Sequence, residues 1–286
     1  MAGEGTVLLR RSALGDVVLL GAITAAVPRP VTVVTDPRYS ELAARLRGVD
    51  RVLPWGSPLP AGRVIDLQGS WETRRMRCDA RLRKRSLARR RWLWWGGPAP
   101  RPPVPMIYGE AAGVVARPPP WIDMPRRPRD TLALLPGAAW VPKRPPEALL
   151  VACGVAWEGP VVVLGGPDEG DLVARVAAQV PGAEAFTEQG FQGTLERLAG
   201  VRVAVGGDSG LTHVAGACGA SVVAFFGPTH PDDGFFVYPG EVVQRALSCR
   251  PCSLHRVRSC RQGDRLCMDL STEAAVRAVQ RCAGSS

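Results

Sequence analysis

The residue types best suited to chemistry fall after short apolar runs. Asp208-Ser209-Gly210 follows Gly206-Gly207 and precedes an apolar segment that begins at Leu211. Small residues at such a turn let a ligand approach the backbone, and a helix start offers N–H groups and a positive dipole end to phosphate. Asp208 or Ser209 also suits the ordinary role of helix cap, which is compatible with phosphate binding. Asp16, after Ser12-Ala13-Leu14-Gly15, is a carboxylate at another helix start, able to cap the helix or to act as a general base. Lys143 and Arg144, beyond Pro136-Gly137-Ala138, are cations able to neutralise a diphosphate. Asp168 and Glu169, after Gly165-Gly166, can accept hydrogen bonds from ribose hydroxyls.

Two hydrolase readings fail. Gly207-Asp208-Ser209-Gly210 looks like the nucleophile region of trypsin-like proteases, but His213, His230 and His255 all follow Ser209 in the chain. A nucleophile elbow needs glycine at 211, where Leu211 stands.

The elements that must position these groups read as alternating strands and helices. Strands are expected at 6–10, 31–35, 51–53 and 63–67, with an apolar helical segment over 16–27 and a helix over 39–46. The pattern restarts with strands at 131–135, 161–164, 201–205 and 221–226, and with helices around 146–153, 168–179 and 211–218. Between the two halves, 98–128 is dense in proline and reads as a linker, with the domain boundary at 128. Two successive α/β domains, 1–128 and 129–286, each with a parallel sheet, follow from this alternation. A length of 286 residues suits two domains with working cores.

The net charge of +10 comes almost entirely from one patch. Arg74, Arg75, Arg77, Arg81, Arg83, Lys84, Arg85, Arg89, Arg90 and Arg91, set against Asp79, run into Trp92-Leu93-Trp94-Trp95. Such a patch suits phosphorylated lipid or nucleic acid, or is simply a solvated basic helix. The first residues carry no basic leader, and no apolar stretch near them is long enough to span a membrane, so a cytoplasmic chain with reduced cysteines is expected. Cys249, Cys252, Cys260 and Cys267 have spacings compatible with a structural zinc ion or an iron–sulfur cluster, and equally with reduced, half-buried thiols.

Together these motifs resemble the lipopolysaccharide heptosyltransferases of glycosyltransferase family 9. The resemblance rests on the run from Leu9 to Val17, on Val64-Ile65-Asp66-Leu67-Gln68-Gly69, and on Pro136-Gly137-Ala138 with Lys143-Arg144. Its most specific part is Asp208-Ser209-Gly210-Leu211-Thr212-His213-Val214-Ala215, followed by Phe226-Gly227-Pro228-Thr229. The resemblance implies a GT-B fold, two Rossmann-like domains facing across a cleft, with acceptor on the first and donor on the second. It implies that Asp16 is the general base of an inverting transfer of heptose from ADP-heptose, with Lys143 on the donor phosphates. It further implies Glu169 on the ribose, and Gly137, Ala138, Asp208, Ser209, Gly210, Leu211, Thr212 and His213 around the diphosphate and sugar. Ser12, Gly15, Gln68 and Arg85 would meet a lipid A-linked core acceptor at the cytoplasmic face of the inner membrane. The chemistry so implied needs no cofactor and no nucleic acid. The terminal helix, over 272–282, is expected to cross back to the first domain as in other GT-B chains. Rival readings are a GT-B transferase using another nucleotide sugar, a non-catalytic relative, and a nucleic-acid- or metal-binding protein built on the arginine patch and the cysteines.

Overall fold

The computed structural model describes residues 5–82, 102–125, 127–187, 190–252, 260 and 263–284. Arg85, the rest of the patch from Arg83 through Trp95, and His255 lie outside the described residues. The chain divides into two units, Met1–Asp123 with Asp232–Val237, and Met124–Pro231 with Tyr238–Ser286.

The first unit holds a five-stranded sheet in the order β3-β2-β1-β4-β5, every pairing parallel. Its strands are β1 Thr6–Leu9, β2 Val31–Thr35, β3 Arg51–Pro54, β4 Arg63–Asp66 and β5 Ala80–Arg81. Every residue of β1 and β2 is buried, as near-continuous apolar runs in the middle of a parallel sheet should be. The register sets Leu9 beside both Val34 and Asp66, so the loops after β1 and β4 leave the same edge side by side.

The apolar run expected as one segment over 16–27 is two short helices, α1 Leu14–Val18 and α2 Gly21–Thr24. The second of these starts on Gly21, where a Cβ would come within 2.8 Å of the Trp121 ring, so close packing explains the glycine. Next comes α3, Ser40–Ala44, preceded by a 3₁₀ turn at Pro37–Tyr39. The proline-dense stretch is not merely a linker. It contains α4, Val104–Ala112, which buries Val104, Ile107, Tyr108 and Ala112. Proline is tolerated in a first helical turn, and Gly113 ends this helix at a φ of 74°.

The second unit holds a six-stranded parallel sheet, order β11-β10-β9-β6-β7-β8. The strands are β6 Thr131–Leu135, β7 Val161–Gly165, β8 Glu184–Thr187, β9 Val201–Gly207, β10 Ser221–Phe226 and β11 Gly240–Gln244. The helices are α5 Glu147–Val155, α6 Gly170–Ala177, α7 Gln192–Leu198, α8 Gly210–Ala217 and α9 Thr272–Gly284. Period-two burial gives one sheet face Leu132, Leu134, Val203, Val205, Val223 and Phe225, in one core with Leu149 and Leu150 of α5 and Val173 and Val176 of α6. The terminal helix corrects the sequence reading. Ala275, Ala278, Val279 and Cys282, spaced as one helical face, belong to this same core, so α9 packs within the second unit. Among the described residues no helix is long and apolar enough to cross a membrane.

Candidate active site

In the first unit the loop after β1 carries Arg10 to Asp16. Asp16 lies in the first turn of α1, and its Oδ2 accepts the Ala13 N–H at 3.1 Å, the reach-back geometry of a helix start. The same Oδ2 meets Arg10 Nη2 at 2.5 Å, both side chains being largely buried. Among the described residues both of these contacts fall on Asp16 Oδ2 and none on Oδ1. Arg10 was not singled out from the sequence. Its Nη1 donates to Leu67 O at 2.6 Å and its guanidinium lies 5.9 Å from the Tyr108 ring centre. Burial alone would lower the Arg10 pKa, but Asp16, with Tyr108 and Asp66 behind it, outweighs burial and raises it. The signal was available: a cation one residue past a central parallel strand has little to do but face the loop cluster there.

Gln68 acts as a brace. Its Oε1 accepts Arg11 N–H at 2.9 Å and Ser12 N–H at 3.3 Å, tying the loop after β4 to the loop before Asp16. Asp66, buried, turns that second loop by accepting Gln68 N–H and Gly69 N–H through Oδ1. Gly15, the residue before Asp16, is the second residue of α1.

In the second unit the parallel strands β6, β7, β9 and β10 deliver their loops to one edge, the carboxyl edge, where ligands of open α/β sheets bind. Lys143 ends a 3₁₀ turn, Val141–Lys143, and its Nζ lies 2.7 Å from Asp208 Oδ2. Thr229 Oγ1 donates to the same oxygen at 2.8 Å. Burial would push the Asp208 carboxyl up, but Lys143, His213 and the Lys143 and Thr229 hydrogen bonds outweigh it and hold it below the ordinary carboxylate range.

Ser209 is the N-cap of α8, its Oγ accepting Thr212 N–H at 3.4 Å. Thr212 Oγ1 turns back to donate to Gly207 O at 2.8 Å. Gly210 and Leu211 open the helix, placing first-turn N–H groups and the positive dipole end at this edge. His213 is buried, with Nδ1 3.0 Å from the Tyr238 hydroxyl. Tyr238 also lies on Gly216, where any Cβ would run into its ring, so this glycine is required for the helix to seat. Burial lifts the Tyr238 hydroxyl far above its ordinary pKa, so it stays a neutral partner for His213.

Glu169 ends the 3₁₀ turn Pro167–Glu169. Its Oε2 accepts Gly166 N–H at 2.9 Å, and its Oε1 lies 3.7 Å from Arg144 Nη2. A Cβ on Gly137 would collide with this carboxylate, which explains the glycine after β6. Ala138 is buried, and its carbonyl accepts Arg144 Nε at 3.1 Å.

The four cysteines proposed as ligands are not brought together as a metal set. Cys249, Cys252, Cys260 and Cys267 form no disulfide with one another. Among the described residues no group of three or more His, Cys, Asp or Glu is placed to hold a metal ion. Spacing along the chain suggested ligands, but spacing does not fix where the sulfurs meet.

Comparisons with known proteins bear on this arrangement. The glycosyl transferase family 9 protein from Veillonella parvula DSM 2008 matches with a TM-score of 0.69 at 16% identity, covering 99% of this chain and 98% of that one. The E. coli ADP-heptose lps heptosyltransferase II gives 0.65 at 16% identity, covering 98% of each chain. The iron-containing dodecameric glycosyltransferase TibC from enterotoxigenic E. coli H10407 gives 0.63 at 18% identity, covering 100% of this chain and 78% of that one. The fold is therefore of GT-B type, with two Rossmann-like domains. No curated protein matches the chain by sequence. The model of glycosyltransferase family 9 (heptosyltransferase) matches residues 116–263, more than half of the chain, which spans the loops bearing Lys143, Glu169, Asp208 and Thr229. On that match the chain belongs to glycosyltransferase family 9, the heptosyltransferases, and is a glycosyltransferase.

Proposed function

We propose that the protein transfers heptose from ADP-heptose to a lipopolysaccharide inner-core acceptor, inverting the anomeric carbon. The observation that carries this reading is the Lys143–Asp208–Thr229 cluster beside the Ser209-capped start of α8. Lys143 has three N–H donors and Asp208 occupies one, leaving donors for diphosphate oxygens. As the C–O bond to the diphosphate breaks, charge grows on a leaving group that meets an ammonium and first-turn N–H groups already in place. These groups supply the positive charge that a divalent ion would otherwise bring. Glu169 is read as the acceptor for ribose hydroxyls. Asp16 Oδ1 takes the proton of the acceptor hydroxyl as its oxygen attacks the anomeric carbon.

The donor identity is supported by the relatives: one is an ADP-heptose lps heptosyltransferase, and another was solved with ADP, E. coli heptosyltransferase WaaC, at a TM-score of 0.62. The acceptor and a place at the cytoplasmic face of the inner membrane are read from the basic run that includes Arg74, Arg75 and Arg77, which are exposed here. Neutralising Arg89, Arg90 and Arg91 is expected to weaken binding to anionic liposomes, and unchanged binding removes that part of the reading.

The test of the donor is calorimetric titration of ADP, UDP and GDP into the protein and into Lys143→Ala. Selective ADP binding, much weakened in the variant but still measurable at high ADP, supports the reading, to be followed by ADP-heptose turnover with Asp16→Ala. Selective binding of UDP or GDP keeps the fold and overturns the heptose assignment.

A further inference from the structure

Two arginines that the proposed chemistry does not use grip the donor cluster from behind. Arg265 Nη2 donates to Pro142 O at 3.2 Å and to Arg144 O at 2.9 Å, the carbonyls on either side of Lys143. One guanidinium nitrogen thus spans the residue whose ammonium meets Asp208, and the 3₁₀ turn Val141–Lys143 cannot swing without breaking both bonds. Arg250 holds the opposite side. Its Nη2 donates to Thr229 O at 2.8 Å and its Nε to Gly227 O, while Cys252 N–H donates to Pro228 O at 2.8 Å. Thr229 in turn donates its hydroxyl to Asp208. The two grips converge on one ion pair, Lys143 through Arg265 and Asp208 through Arg250.

The backbone of Arg265 supports a selected role. Its φ of 52° and ψ of 37° are left-handed, and among the described residues it is the one non-glycine residue with positive φ. Glycine adopts that conformation freely, whereas a residue with a Cβ does so at a cost. Here the side chain, not the backbone, accounts for the residue, since its one Nη2 at the end of a long stem reaches both carbonyls. The same logic applies to Arg250, whose bonds go to backbone carbonyls and to Gln244 Oε1 at 3.1 Å.

We propose that Arg265 and Arg250 are positioning residues of the transferase, setting Lys143 and Thr229–Asp208 for the donor diphosphate. This rests on the donor reading above. A residue that merely stabilises the fold would weaken nucleotide binding whether or not Lys143 is present, whereas one acting through Lys143 would not.

The experiment is a double-variant cycle read by calorimetry with ADP on the full chain: Arg265→Met, Lys143→Ala and the pair. Arg265→Met is expected to weaken ADP binding about tenfold, the scale of losing hydrogen bonds from a charged donor. In the Lys143→Ala background the same change is expected to add nothing. Unchanged ADP affinity in Arg265→Met overturns the role, as does an equal loss with Lys143 absent. Arg265→Gln covers the case in which Arg265→Met does not fold: it keeps polar N–H donors but is too short to reach both carbonyls, and wild-type affinity in it overturns the role as well. If the intact protein binds no ADP, both the donor reading and this role fall; if it binds ADP regardless of Arg265, only this role does.

Discussion

Lys143 and Asp208 form an ion pair of 2.7 Å, with side chains only 12% and 11% exposed. A surface lysine ordinarily stands free in solvent. Here the fold neutralises it with a carboxylate that is itself shared with Thr229. The ammonium is thereby fixed in place, and the diphosphate of the proposed donor would meet an ordered charge and not a flexible chain.

Breaking that pair from one side should be costly, because a buried charge is left alone. Lys143→Met is expected to lose about 3 kcal/mol in urea unfolding. The double variant Lys143→Met with Asp208→Asn should recover most of it and still bind ADP no better than Lys143→Ala does, separating fold from ligand. The pH dependence follows from the depressed Asp208 carboxyl. A carboxyl whose folded pKa lies below its unfolded value adds stability that is complete above the unfolded value, about 4, and lost as pH falls through the folded one. Urea midpoints between about pH 5 and 2 should therefore fall less steeply in Asp208→Asn than in the wild type. Equal slopes would show that the pair carries no acid-side stability.

Gly137 and Glu169 give a cleaner probe of the nucleoside end. A Cβ at Gly137 meets the far end of the Glu169 side chain, which can move, so Gly137→Ala should cost less than about 1 kcal/mol of stability. The displaced carboxylate loses its Gly166 N–H, and ADP affinity should fall as far as in Glu169→Ala. Inorganic pyrophosphate, which has no ribose, should bind all these proteins alike. A parallel fall for pyrophosphate would place Glu169 on the phosphates instead.

Much of this was legible in the chain. The strands 31–35, 131–135 and 221–226 stand where apolar runs placed them, because central parallel strands are buried on both faces. The edge strands β8 and β11 gave no such signal: Glu184, Ala185 and Thr187 are exposed, and so are Gly240 and Gln244. The helix over Val104–Ala112 was hidden by prolines that sit harmlessly at its start. The motif residues at the carboxyl edge were visible, but their partners were not. Arg250 and Arg265 act through contacts distant in sequence, which no local pattern encodes.

The thiols of Cys153 and Cys218 should be inert in the folded protein. Burial pushes each up to about 12, slightly offset at Cys218 by Arg129. At pH 8 the thiolate fraction of such a group is on the order of one in ten thousand, and the thiolate is the reactive form. Mass-mapped labelling with an aromatic disulfide at pH 8 should leave both unmodified until urea unfolds the chain. Early modification of either would mean that the second unit opens locally far more readily than its packing suggests.

Arg10 should matter to catalysis out of proportion to stability. Its fork joins Leu67 O and Asp16 Oδ2, so it holds the carboxylate with Oδ1 turned outward as well as balancing its charge. Arg10→Lys keeps the charge but offers one ammonium where two separate nitrogens now bond. The expected result is a small drop in Tm and a fall in kcat of about 100-fold, the scale of misplacing a catalytic group by about 1 Å. KM for the nucleotide sugar should stay near the wild-type value, since Lys143 and Glu169 are untouched. If kcat survives while KM rises, Asp16 is a binding group and the base lies elsewhere.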